Sequence, residues 1–312
     1  MTRFRLVVAV TVAWSMVLTG VAVAGELEDM LRRAATAEFT GQQVVVTYDG
    51  GETTAGFYEV TQSAGFVYVK AGSDQAMMGE GKVASADQQR EGHVQVADWM
   101  SWRLSDRYSL GEITRSVRLG RPASLVTILD GGIVRSRMAF DIATGAPMLS
   151  EVYDGSGDLY RLAIVTEFDP IVLATDMPNA PGESNGYEMM MPKTSFRLPE
   201  SAGGYWRADT YEGPDATLHA FYTDGLFSFS VFELDPRADA GKLDEGRLVS
   251  LGDNAYRRLV DPGGVWLFWR APDHAYLLVG DLPPDHLEAV VADLPEPGRA
   301  NLFKRIWRGL FG

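Results

Sequence analysis

The side chains most able to do chemistry in this chain are four histidines, His93, His219, His274 and His286. A zinc site needs His or Cys at short spacings that converge on one point. No two of these histidines stand at such a spacing, and the chain has no cysteine. Zinc, haem and iron–sulfur chemistry therefore find no support, and no metal or cofactor is expected. A lone histidine in a strand or at a helix start is ordinarily structural. Gly155-Ser156-Gly157 comes nearest to a nucleophile. A nucleophile elbow needs Gly-x-Ser-x-Gly between a strand and a helix, whereas Ser156 falls in a turn between two predicted strands. No glycine-rich phosphate loop opens a helix. Asp141, Asp154 and Asp224 sit at turns, where a carboxylate bonds the backbone. No catalytic residue emerges, and a non-enzymatic protein is the expectation.

Composition sets the frame for these residues. The 312 residues suit two domains of ordinary size. A hydrophobic content of 46% provides for a core. The net charge of −14 and pI near 4.7 argue against a nucleic-acid partner, which would need clustered Lys and Arg. Residues 1–24 read as a secretory signal peptide: Arg3 and Arg5, an apolar run from Leu6 to Leu18, and Ala22-Val23-Ala24 before Gly25. An uncleaved anchor is the alternative. Both readings place the body outside the cytoplasm, periplasmic or otherwise extracytoplasmic. Export permits disulfides, but a chain without cysteine is held by its core alone.

The elements follow from periodicity. Glu26–Phe39 repeats its apolar residues at helical spacing, and Gly41 is expected to stop that helix. Strands are predicted over Gln43–Tyr48, Thr54–Val60 and Gly65–Lys70, with Asp49-Gly50-Gly51 as a hairpin turn. Ala71–Glu91 reads as a long loop, and order resumes over His93–Trp102. An antiparallel meander runs through Pro122–Leu129, Ile133–Ile142, Pro147–Tyr153 and Leu159–Phe168, with Gly-rich turns between. The composition breaks at 176–193, read as a linker between domains at 25–175 and 194–300. The second domain carries strands from Trp206 to Val279, then a helix over Asp285–Leu294. A helix followed by many antiparallel strands, without β-α alternation, predicts an α+β, mostly antiparallel β fold.

Two features go beyond a bland core. The early strands and the loop after them carry Phe57, Phe66, Tyr68, Met77, Met78, Trp99 and Trp102. In a curved sheet these could line an apolar cavity for a lipid-like ligand; an ordinary packed core is the alternative. The tail at 301–312 places Phe303 and Trp307 on one helical face with Lys304, Arg305 and Arg308 beside it. That pattern suits a membrane surface or a partner groove, with a docked terminal helix as the alternative.

The stretch Tyr222-Thr-Asp-Gly-Leu-Phe-Ser-Phe-Ser-Val-Phe-Glu233, preceded by Leu198-Pro199-Glu200, resembles the second-domain signature of the MucB/RseB family of sigma-E regulators. Tyr276–Leu294 (YLLVGDLPPDHLEAVVADL) is similar to that family's closing strand and helix. GRPASLVTIL from Gly120, the Asp141-x-x-Thr144-Gly145 turn and the Asp154-x-x-Gly157 turn resemble its first domain in order and spacing. The resemblance implies a lipoprotein-carrier-like half-barrel over helices, followed by a smaller antiparallel sheet domain with a helix. It implies a protein that binds the exported part of a membrane anti-sigma factor and shields it from proteolysis. It further implies that lipid A-type or lipoprotein-type ligands release that grip. A lipid or lipoprotein carrier of the cell envelope is the second reading of the same half-barrel.

Overall fold

Where side chains alternate or are β-branched the chain is extended, and glycine pairs turn it back. A computed structural model describes residues 29–34, 36–63, 66–71, 91–95, 107–170, 188–189, 197–212, 218–237, 246–262 and 264–298. The signal region 1–24 and the tail 301–312 lie outside them. The chain divides into two compact units: Met1–Tyr48 with Ala55–Pro178, and Asp49–Thr54 with Asn179–Gly312. It is a mostly antiparallel β fold with two sheets and few helices. Among the described residues no helix is long and apolar enough to cross a membrane.

The first sheet has ten strands: β1 (Phe39–Asp49), β2 (Glu52–Ser63), β3 (Phe66–Ala71), β4 (Glu91–Gln95), β5 (Tyr108–Leu110), β6 (Thr114–Arg118), β7 (Arg121–Asp130), β8 (Ile133–Asp141), β9 (Pro147–Tyr153) and β10 (Leu159–Asp169). Their order is β4-β3-β2-β1-β10-β9-β8-β7-β5, with β6 beside β7. The sheet is therefore open among the described residues, with the two chain-distant strands β1 and β10 paired at its middle. Along β2, Thr54, Gly56, Val60 and Gln62 are buried and Phe57 and Glu59 are exposed, the period of a strand covered on one face. Gln62 donates from Nε2 to the carbonyl of Ala34, tying a helical turn at 29–34 (α1) to that covered face.

The expected helix over Glu26–Phe39 is shorter than its periodicity implied. Helical backbone is described over 29–34, Thr36 is already in a turn, and Phe39 opens β1. Phe39 is buried with Ala37, Val60 and Ala146 and stacks on Phe168 at 5.5 Å, so burial within the sheet overrides local helical preference. Gly41 stops no helix. It lies inside β1, where a Cβ would overlap the carbonyl oxygen of Glu167, beside a bulge at Gln42/Gln43. Ala71 and Glu91, the ends of the expected loop, are strand ends, and 72–90 lies outside the described residues. β5, with three residues, is too short to show a period, β6 carries no apolar alternation, and the sequence did not mark them.

The second sheet comprises β11 (Glu188–Met189), β12 (Ser201–Ala202), β13 (Tyr205–Glu212), β14 (Leu218–Thr223), β15 (Ser228–Leu234), β16 (Arg247–Leu251), β17 (Asn254–Asp261), β18 (Gly264–Arg270) and β19 (Ala275–Gly280). Its order is β11-β13-β14-β15-β19-β18-β17-β16, with β12 beside β13. β11 falls inside the stretch expected to be linker; it adds to β13 through two backbone pairs, a strand too short to leave a sequence pattern. Helix α2 (Pro284–Asp293) follows, with Pro at its first position and no side-chain cap. Its Leu287, Val290 and Val291 are buried together with Phe227, Phe229 and Val231 of the second unit. Gly203 lies against Val290, and its N–H donates to Asp293 at 2.9 Å, so α2 sits on the β12–β13 turn.

Candidate functional site

The covered face of the first sheet contains a cleft of about 150 Å³, lined by Phe39, Gly41, Gln42, Gln43, Val60, Gln62, Pro147 and Val165. The register shift at Gln42/Gln43 loosens the strand pairing beside it, and Gly41 adds no side chain to its wall. Its walls are apolar at Phe39, Val60, Pro147 and Val165, and polar without charge at the three glutamines. No ionisable side chain lines it, so it offers apolar contact and amide hydrogen bonds rather than acid–base chemistry. A space of this size admits a group as large as a benzene ring, which fits a branch or end of an apolar ligand and not a whole acyl chain.

None of these lining residues was singled out in the sequence. Phe39 was assigned to a helix, and the inward parity of β2, which selects Val60 and Gln62, was the signal available. Phe57 has the opposite parity and is 43% exposed, on the other face of β2 from Val60. Phe66 and Tyr68 lie on β3, opposite Ser63 and Thr61 of β2. Met77, Met78, Trp99 and Trp102 lie outside the described residues, as do Phe303, Lys304, Arg305, Trp307 and Arg308.

The turn carboxylates hold backbone. Asp141 is buried; its Oδ1 accepts from the N–H and hydroxyl of Thr144, and both oxygens take Arg121 at 2.8 and 3.1 Å. Burial raises the Asp141 pKa, but the bonds from Arg121 and Thr144 outweigh it and hold the carboxyl below its ordinary value. Arg121 also stacks over Phe168, the ring that meets Phe39. Asp154 accepts from Ser156 and Asp158 across its own turn, and there too these bonds outweigh burial and lower the pKa. Ser156 donates its hydroxyl to Asp154 at 2.7 Å, a bond that closes its own turn.

The histidines are placed as parts of the framework. His219 lies on β14, stacked on Phe232 at 4.4 Å and 2.8 Å from the Ser230 hydroxyl. Burial drives its pKa down to about 4, so it is neutral near pH 7. His286 is buried at the start of α2, its Nδ1 2.6 Å from the Tyr205 hydroxyl. His274 lies 3.4 Å from the buried Glu233 carboxylate, which also accepts from Tyr276. His93 is on β4, opposite Tyr68.

The aromatic segment of the second unit is its centre. Asp224 accepts from the N–H groups of Leu226 and Phe227, Gly225 takes φ 86°, and the chain turns into β15 at Ser228. Phe229 stacks on Tyr222 at 4.9 Å. The Tyr222 hydroxyl donates to the carbonyl of Pro199 at 2.7 Å, and Arg207 donates to the carbonyl of Leu198 at 2.6 Å. The Leu198-Pro199-Glu200 stretch is therefore bonded directly to the strand that opens the aromatic segment.

Fold and site together define a two-unit, mostly antiparallel β protein with an uncharged, largely apolar cleft in its first unit. No family model and no curated protein matches the chain. Among solved structures it is similar to the Pseudomonas aeruginosa MucA/MucB complex, with 18% identity over 88% of this chain and 99% of that one, at a TM-score of 0.43. It is similar to MucB in complex with MucA(peri), with 20% identity over 86% and 98%, at 0.43. It is also similar to MucB, with 18% identity over 88% and 98%, at 0.45.

Proposed function

We propose that this chain is an exported negative regulator. It binds the extracytoplasmic part of a membrane anti-sigma factor, shields it from proteolysis, and releases it when an apolar envelope ligand occupies the first unit. The observation that carries this reading is the bond from Tyr222 to Pro199. It joins two of the stretches on which the sequence resemblance to MucB/RseB rests, so the second-domain part of that resemblance lies in residues that build the second unit. The uncharged cleft supports an apolar ligand, whose buried methylenes would each contribute about 0.8 kcal/mol. Such a regulator acts outside the cytoplasm and is not an enzyme. In this reading the basic tail, with Phe303, Lys304, Arg305, Trp307 and Arg308, touches the membrane or the partner.

The test mixes the full chain with the extracytoplasmic segment of the anti-sigma factor encoded beside it, and follows cleavage of that segment by its site-one protease. A stoichiometric complex that slows cleavage at least tenfold is expected. Absence of a complex overturns the reading. Recovery of acyl lipids or lipoproteins alone from an envelope extract moves the weight to a carrier, the second reading that the cleft supports.

A further inference from the structure

We propose that the open edge of β6 is a docking strand for an extended, acidic segment of a partner protein. The inference uses neither the cleft nor the regulator reading. Among the described residues β6 pairs with β7 alone. The two strands meet in a two-residue turn, Leu119-Gly120, with φ 49° and 73°, the signature of a type I′ hairpin. In such a hairpin the closing pair, here Arg118 and Arg121, exchanges backbone hydrogen bonds. Alternation then turns Ser116 and Thr114 toward β7 and leaves the N–H and C=O groups of Arg115 and Val117 on the open side. The carbonyl of Pro122, opposite Val117, fits this parity: it accepts from Ile142 at 3.0 Å, away from β6.

The side chains along that edge name the chemistry of the occupant. Val117 is 68% exposed and Leu119 48% exposed. A leucine in left-handed backbone is strained, and one left half in solvent returns only part of its packing to the fold. Arg115 and Arg118 make no ion pair or hydrogen bond with any described residue, in a chain whose net charge is −14. Charged side chains often blunt a sheet edge, but blunting does not call for exposed Val and Leu beside them. Alternation puts Arg115 on the face of Val117 and Arg118 on the opposite face, so an extended segment would add backbone bonds at Arg115 and Val117, set an apolar side chain on Val117, and bring one carboxylate to each face for the two arginines. A second copy of this chain fits poorly, since edge-to-edge pairing brings four arginines and no β6 carboxylate to the seam.

The probe is a fluorescent, end-capped eight-residue peptide, Glu-Glu-Val-Val repeated twice, which presents both Glu and Val on each face; it is titrated into the full chain at low salt and read by anisotropy. Saturable binding is expected. It should weaken at least tenfold when alternate peptide amides are N-methylated, and at least tenfold in R115E/R118E, with the circular dichroism spectrum unchanged. Val117→Pro, which removes one edge amide and no charge, should weaken it too. Absence of saturable binding overturns the proposal, as does binding that ignores both N-methylation and the arginine reversal. Two other outcomes also overturn it. One is capture by phosphatidylglycerol vesicles, lost in R115E/R118E, with no peptide bound, which makes the hairpin a membrane contact. The other is a concentration-dependent dimer lost in the same variant, which makes the occupant a second copy.

Discussion

Asp141 concentrates several bonds at one carboxylate: two from Arg121, two from Thr144, at a position only 1% exposed. Its folded pKa lies below the ordinary 3.8. The unfolded chain therefore binds the proton more readily, so the stability Asp141 contributes is complete above 3.8 and is lost as pH falls through the lower folded value. Asp141→Asn keeps an acceptor for Thr144 and removes the charge facing Arg121. It should cost about 2 kcal/mol at pH 7 and less at pH 3, as read by urea unfolding at the two values. An equal cost at both would show that the loss is steric. His219 has the same sign by a different cause. Burial holds it neutral down to about 4, so an unfolded histidine at 6.5 takes up a proton that the folded one refuses. Stability should fall between pH 6.5 and 4, and His219→Gln, which keeps a partner for Ser230, should flatten that limb of the profile. The turn roles of Asp141, Asp154 and Asp224 were legible in the sequence, because an Asx turn needs only its own neighbours. The cleft was not: Phe39, Gly41, Val60 and Val165 come from three strands, and only the pairing of β1 with β10 brings them together.

Elements with strong period-two patterns and glycine turns were readable nearly to the residue from β7 through β10, and the strand run of the second domain, from Trp206 to Val279, was found where β13 through β19 stand. What failed did so where tertiary pairing decides. β5, β6, β11 and β12 have two to five residues each, and the backbone that holds them belongs to a neighbouring strand. Gly41 illustrates the same rule in reverse. It looked like a helix stop and is instead the point where β1 passes the Glu167 carbonyl too closely for any side chain. Gly41→Ala should therefore cost about 2 kcal/mol or more, because backbone and not a flexible side chain must give way. A cost near zero in thermal unfolding would mean that β10 yields at its own bulge. The β6–β7 hairpin should respond oppositely. Leu119→Asn restores the Asn-Gly pair that a type I′ turn favours and relieves the left-handed strain, which outweighs the half-covered leucine surface given up, so it should stabilise by up to about 1 kcal/mol. A loss of stability would place Leu119 among packed residues and remove one support for the docking edge.

For the whole molecule, charge separates the two binding surfaces. The chain carries −14 overall, yet the cleft is lined by no charge and the β6 edge carries two arginines without described partners. Their salt responses must then differ. Screening lengths fall from about 10 Å at 0.1 M to about 3 Å at 1 M, so the acidic peptide should leave the β6 edge as salt rises. A neutral apolar fluorophore in the cleft should be held unchanged or slightly better. Val60→Phe, which fills the cleft, should abolish fluorophore binding and leave the peptide bound. R115E/R118E should do the reverse. Each variant is thus the folding control for the other, since a damaged sheet would lose both ligands together. A common salt dependence, or one variant that removes both ligands, would mean that the first sheet presents one site and not two.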